Sequence, residues 1–162
     1  MRNVILSMPR CGSAWLAAYF GYLHDPHTIP KVGAGIVDTG AAADPDRAWR
    51  RHRGETTIVL SGDLDRVLQS LWVHDVPVSP ELGAAWKDRL ERVALFNNLP
   101  LFFYEHLFTE KDWNEIERLH DVLDEDFDPI RWVNQMECNV QHQMSYYTAE
   151  RFESYMRWLR AS

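Results

Sequence analysis

Asn3-Val4-Ile5-Leu6-Ser7-Met8-Pro9-Arg10-Cys11-Gly12-Ser13-Ala14-Trp15-Leu16 is the stretch that decides the fold. Its first four residues form a short apolar run of the kind a strand buried in a parallel sheet presents. Pro9 and Gly12 interrupt that run. Ser13 stands at a capping position for a helix that carries Trp15, Leu16, Tyr19 and Phe20. Strand, tight turn and helix in this order aim several backbone N–H groups and the positive end of a helix at one point, and Arg10 adds a guanidinium beside them. Such a point suits an anion, most often a phosphate.

Outward from there the pattern alternates. Thr56-Thr57-Ile58-Val59-Leu60 is β-branched and apolar, and predicts a second strand. Ser61-Gly62 turns the chain and Asp63 caps a helix whose Leu64, Val67, Leu68, Leu71 and Trp72 fall on one face. Ser79-Pro80 is an N-cap and first-turn pair for a further helix through Leu82, Trp86, Leu90, Val93 and Ala94 to about Phe96. Leu101 to Tyr104 reads as a third strand. Thr109-Glu-Lys-Asp112 has the spacing of a capping box, ahead of a helix burying Trp113, Ile116, Leu119 and Leu123. A last helix is expected after Thr148, with Phe152, Tyr155, Met156 and Leu159 inward. Between His24 and Asp46 the chain is irregular, with room for a short strand at Ile36-Val37. Strands alternating with helices predict a parallel α/β sheet with right-handed crossovers and ligands beyond the carboxyl ends of the strands. The turns after Leu6, Leu60 and Tyr104 are therefore expected along one edge.

A chain of 162 residues, 46% hydrophobic and 25% charged, has the size and composition of one globular domain spanning 1–162. No run approaches the roughly 18–20 apolar residues of a membrane span. The apolar run at the N-terminus is too short for a secretory signal. Cys11 and Cys138 make no disulfide framework, so the expected compartment is the reducing cytoplasm. The net charge of −7 argues against a general nucleic-acid binder. Arg47, Arg50, Arg51 and Arg53 cluster around His52, either as solvated surface or facing an anionic ligand.

Several chemistries fail on spacing. Gly35-Ile-Val-Asp-Thr-Gly40 has the two glycines of a Walker A loop, but Ala41-Ala42 stand where Lys and Ser/Thr are required. Cys11 opens a loop like that of a low-molecular-weight tyrosine phosphatase, yet Ala17 takes the place of its arginine. A helix N-terminus would lower the pKa of Cys11. His24 with His27, and Cys138 with His142, match no recognised zinc framework, and no metal is expected. The other histidines, His52, His74, His106 and His120, read as surface or helix-flank residues.

What remains is a strand–loop–helix anion site with no Walker lysine, and it resembles the sulfotransferase family. That family's 5′-phosphosulfate loop typically reads Pro-(Lys/Arg)-Ser-Gly-(Ser/Thr)-Thr-Trp-Leu, and here Pro9, Arg10, Cys11, Gly12, Ser13, Ala14, Trp15 and Leu16 stand in those places. Its second motif is a strand ending in Arg and a helix whose Ser lies eight residues on. The frame from Val59 to Leu71 keeps Ser70 and has Gly62 at the Arg position. Tyr104-Glu105-His106-Leu107 is similar to the family's Tyr-Glu-Asp-Leu.

The resemblance implies a three-layer, P-loop NTPase-like α/β fold with a small central parallel sheet flanked by helices. It implies a transferase that uses 3′-phosphoadenosine 5′-phosphosulfate (PAPS) as donor and an unidentified hydroxyl or amine as acceptor. Residues 11 to 15 would grip the 5′-phosphate by their N–H groups, with the Ser13 hydroxyl. Trp15 would lie near the adenine or in the core. Ser70 and the Gly62 position would face the 3′-phosphate. Arg10 would neutralise charge on the bridging oxygen, a role worth ~3 kcal/mol. A base is needed near the acceptor, and Asp25, then Asp38, are the first candidates, beside His24 and His27. Gly62 and Ala14 depart from the pattern. A lost charged hydrogen bond of this kind costs roughly 1.5–3 kcal/mol, and Arg66 and the arginines of 47–53 are the replacements at hand. The alternative is a non-catalytic module that keeps the anion loop for a nucleotide or phosphorylated partner.

Overall fold

The computed structural model describes residues 1–30, 33–138 and 157. Five strands, β1 (Asn3–Ser7), β2 (Leu23–His24), β3 (Ile36–Asp38), β4 (Thr56–Ser61) and β5 (Leu101–Phe103), form one all-parallel sheet in the order β2-β3-β1-β4-β5. β1 is central. Ile5 pairs with Val37 on one side and Ile58 on the other, and Val4, Ile5 and Leu6 are fully buried. A strand covered on both faces has no polar side, which is why its sequence runs apolar without alternation.

Among the described residues six α-helices flank the sheet: α1 (Ser13–Phe20), α2 (Pro45–Arg51), α3 (Leu64–Val73), α4 (Pro80–Phe96), α5 (Trp113–Val122) and α6 (Pro129–Cys138). They fall into two packing groups. α1 joins α5 and α6 in an aromatic cluster, where Trp15 lies 4.6 Å from Trp132 and 5.2 Å from Tyr19 between ring centroids. α2 and α3 pack against α4 instead. The connection through α1 runs from β1 toward β2, while those through α2 (β3 to β4) and through α3 and α4 (β4 to β5) run the other way along the sheet. Right-handed crossovers of opposite direction lie on opposite faces, the layering of a three-layer α/β fold.

The capping chemistry explains where most helices start. Asp63 accepts from the Arg66 N–H, Ser79 from Leu82, and Asp44 from Arg47. α5 starts at Asp112 and not at Thr109. The chain first makes a π-helical turn over Glu105–Thr109, Lys111 turns left-handed (φ 52°), and the Asp112 carboxylate then accepts from Asn114 and Glu115. The expected stretch of irregular chain from His24 to Asp46 contains β2, β3, a 3-10 turn (Gly40–Ala42) and the start of α2. The helix expected after Thr148 lies outside the described residues except for Arg157, which is helical, and His142 lies outside them too. Among the described residues no helix is long and apolar enough to cross a membrane.

Candidate functional site

The carboxyl ends of all five strands share one edge, and the turn after β1 occupies its middle. Arg10 (φ 60°) and Gly12 (φ 79°) both lie in the left-handed region, which lets the chain coil tightly before α1 begins. Gly12 is required there twice over. Its backbone disfavours other residues, and an added Cβ would come within 2.5 Å of the Phe108 ring. Gly12, not Ser13, is the N-cap of α1, and no side chain caps it. The other helices are capped by Asp44, Asp63, Ser79, Asp112 and Asp128. Among the six described α-helices α1 alone offers its first N–H groups with no side-chain acceptor. The Ser13 hydroxyl instead lies 3.1 Å from His24 Nε2.

One guanidinium holds the surrounding turns together. Arg66 donates through Nη1 to the Arg10 carbonyl (2.7 Å), through Nη2 to Cys11 Sγ (3.3 Å) and through Nε to Glu105 Oε1 (3.2 Å), and it stacks 3.6 Å above the Tyr104 ring. It therefore ties the turns after β1, β4 and β5. Glu105 also accepts from the Asp63 N–H at 2.8 Å. Gly62 is what admits the clamp, since a Cβ there would stand 2.8 Å from Arg66 Nη2 and 2.9 Å from Cys11 Sγ. Arg66 is thus committed to the loop's underside. Burial pushes the Cys11 thiol up to about 11, against the pull of Arg66. The lowered pKa expected at a helix N-terminus is overturned, and Cys11 is a neutral filler of the loop.

Arg10 and Ser70, sixty residues apart in sequence, meet. Arg10 donates from Nε to Ser70 Oγ at 3.0 Å, and its Nη2 lies 2.6 Å from His74 Nε2. A guanidinium only donates, so the imidazole nitrogen accepts. Ser70 and His74 are four residues apart on α3 and so share a face.

Beside this loop a cavity of about 380 Å³ opens at the ends of β2 and β3, lined by Asp25, His27, Asp38, Thr39, Arg51 and His52 among others. Both candidate bases are in its wall. Asp25 (φ 46°) accepts the Thr39 N–H at 2.7 Å and the Thr39 hydroxyl at 2.6 Å. Its neighbour His24 places Nδ1 3.6 Å from Asp25 Oδ2. A polar chain of Ser13, His24, Asp25 and Thr39 thereby joins the anion loop to the cavity. His52 is 2% exposed, with Nε2 3.7 Å from Asp38 Oδ2, longer than a hydrogen bond. The imidazole holds the Asp38 carboxyl below the usual carboxylate range, and Arg51 and the Gly40 N–H assist against the effect of burial.

Of the residues singled out from sequence, Arg10, Cys11, Gly12, Ser13, Gly62 and Ser70 gather at the loop, while Asp25 and Asp38 gather at the cavity. Ala14 is exposed on the first turn of α1. Trp15 turns inward, 4% exposed against Tyr19, Phe108 and Trp132, so its side chain belongs to the core. His52 and His120 are not surface residues. His120 is fully buried, donates Nδ1–H to the Ile116 carbonyl and accepts the Tyr19 hydroxyl, and burial holds its pKa down. Glu105 belongs to the Tyr104–Leu107 stretch, and Arg66, expected as a replacement cation for the ligand, is instead the clamp of the loop. Thr39 and His74 enter the site without a motif of their own. The i, i+4 spacing of Ser70 and His74 was the one signal available for the last of these. Among the described residues no group of three or more His, Cys, Asp or Glu comes together as a metal site. No protein-family model and no curated protein matches the chain.

Proposed function

We propose that the protein is a sulfotransferase-like enzyme of P-loop NTPase-like fold that binds 3′-phosphoadenosine 5′-phosphosulfate or a related adenosine nucleotide at the turn after β1. The observation that carries this reading is the Arg10–Ser70 hydrogen bond, which unites the two sequence motifs beside the uncapped start of α1. The N–H groups of residues 11 to 15 and the Ser13 hydroxyl hold the 5′-phosphate. An acceptor hydroxyl or amine seated in the cavity attacks the sulfur. Asp25 or Asp38 takes the proton that the acceptor loses, and Arg10 stabilises the charge left on the departing phosphate oxygen. His24 lies between the two halves, in contact with both Ser13 and Asp25.

A melting experiment tests the reading. 3′-Phosphoadenosine 5′-phosphate is expected to raise the melting temperature, and Arg10→Ala to abolish the rise. A folded wild-type protein that shows no shift at millimolar nucleotide contradicts it. The second reading, a binding module without turnover, is favoured by Gly62 and by the commitment of Arg66 to Glu105. Nucleotide binding with no sulfuryl transfer across a panel of hydroxyl and amine acceptors distinguishes it from the enzyme.

A further inference from the structure

The arginine cluster of 47–53 has no part in the nucleotide site. Arg47, Arg50 and Arg51 stand at i, i+3 and i+4 on α2 and so share one face, with Arg53 just past its end. The opposite face, Pro45 and Ala48 with His52 beyond them, is buried. All four arginines are exposed, and among the described residues none of them forms an ion pair. Two neighbouring carboxylates are engaged elsewhere, Asp44 with the Arg47 N–H and Glu55 with the Arg2 N–H. Like charges at this spacing repel one another, and anionic groups laid along the face relieve that repulsion. The face ends at the cavity. Arg51 is exposed and lines it, which puts the guanidinium at the rim, whereas Asp38 is half-buried and His52 buried in its wall.

The wall itself selects the group that enters. His52 Nε2 is buried with no hydrogen-bond partner, and beside the Asp38 carboxylate it carries the ring proton. A hydroxyl placed there accepts from Nε2 and donates to Asp38, whereas an ammonium only donates and leaves Nε2 unmet. The wall offers Asp25, His27, Asp38, Thr39 and His52 to hydrogen bonds and contains no Phe, Tyr or Trp. Such a wall suits an aliphatic polyol better than a phenol or a nucleobase, which a stacking ring would favour. We propose that the acceptor is a hydroxyl of an acidic oligosaccharide, one sugar ring of which enters the cavity while its acidic groups run from Arg51 to Arg47 and Arg50. This inference rests on the enzyme reading above and gives its acceptor a class. The sugar oxygen bonds to the sulfur as its proton passes to Asp38, and the bond from sulfur to the donor's phosphate oxygen breaks with its electron pair left on the phosphate.

Calorimetric titration of the full chain, without nucleotide, with oligogalacturonate and with the same sugar methyl-esterified tests the class. The acidic sugar is expected to bind about tenfold tighter or more, the value of one charged hydrogen bond. Arg51→Gln is expected to cut that preference to about threefold or less. Arg89→Gln, exposed on α4 and outside the cavity wall, is expected to leave it in place. Equal binding of the two sugars, or no binding of either, overturns the proposal and leaves the nucleotide site standing. Equal losses in Arg51→Gln and Arg89→Gln overturn it as well, because they reduce the preference to net charge. A glutamate-rich peptide that binds as tightly as oligogalacturonate overturns the sugar class. Failure of nucleotide to shift the melting temperature, with the sugar preference intact, overturns the enzyme reading while the sugar site stands.

Discussion

The two halves of the sheet's carboxyl edge are built differently. Around β1, β4 and β5 the turns are cross-braced. Arg66 bonds to two of them and is itself carried by the third, Gly62 makes room for it, and Phe108 closes over Gly12. Around β2 and β3 the strands are two and three residues long, and the wall is a cavity joined by carboxylate contacts, Asp25 to Thr39 and Asp38 to His52. The braced half has the rigidity that a preorganised anion loop requires, because its N–H groups do not reorganise on binding. The open half has space and ionisable groups, as an acceptor pocket requires. In the proposed reading, position along one sheet edge separates holding from reacting.

The contrast breaks most visibly at its central brace. Arg66→Ala strips Glu105 and the Arg10 carbonyl of a charged donor in a partly buried setting. It is expected to cost about 3 kcal/mol in urea unfolding and to weaken nucleotide binding along with it. A loss below about 0.5 kcal/mol would make the brace decorative. Gly62→Ala comes next. Its Cβ meets Arg66 and Cys11 below 3 Å, and overpacking of this kind costs about 2 kcal/mol. In the Arg66→Ala background the same change is expected to cost less, since one of the two clashing atoms is gone, and strict additivity would argue against the shared contact.

The braced half should also be chemically quiet. With its pKa raised to about 11, Cys11 is expected to react with iodoacetamide at pH 8 at least tenfold more slowly in the folded than in the unfolded chain, as read from the peptide that contains it. Rapid alkylation in the native state would contradict its burial. The smallest effect belongs to the open half. The folded pKa of Asp38 is depressed, so its contribution to stability is present above the unfolded carboxylate pKa of about 3.9 and is lost as pH falls through the folded value. Asp38→Asn is expected to reduce the acid-side slope of stability below about pH 4, and an unchanged slope would remove His52 as its partner.

The sequence made some of this legible and left the rest hidden for physical reasons. Continuous apolar runs mark β1, β4 and β5, and helical periodicity with Asp63 and Ser79 caps marks α3 and α4. β2 is two exposed residues, and α2 buries only Pro45 and Ala48, so neither has a pattern to read. Thr109 matched a capping box by spacing, but spacing does not report the left-handed Lys111 that delays α5. At the site, the frame from Pro9 to Ser70 placed Arg10 and Ser70 in one set before any contact was visible. The cavity was illegible because Asp38 ends a strand while Arg51 and His52 end a helix that only the fold brings alongside. Gly62 looked like the loss of a cation, whereas in the structure it is the space that the Arg66 clamp occupies.

The most direct test of the central claim is an amide-resolved NMR titration of the full chain with 3′-phosphoadenosine 5′-phosphate. The largest shifts are expected at the N–H groups of Cys11, Gly12, Ser13, Ala14 and Trp15, with further shifts at Ser70 and His74 and smaller ones at Asp38 and Thr39. Shifts confined to the cavity, or no shifts in the folded protein at millimolar nucleotide, would contradict a nucleotide site at the turn after β1.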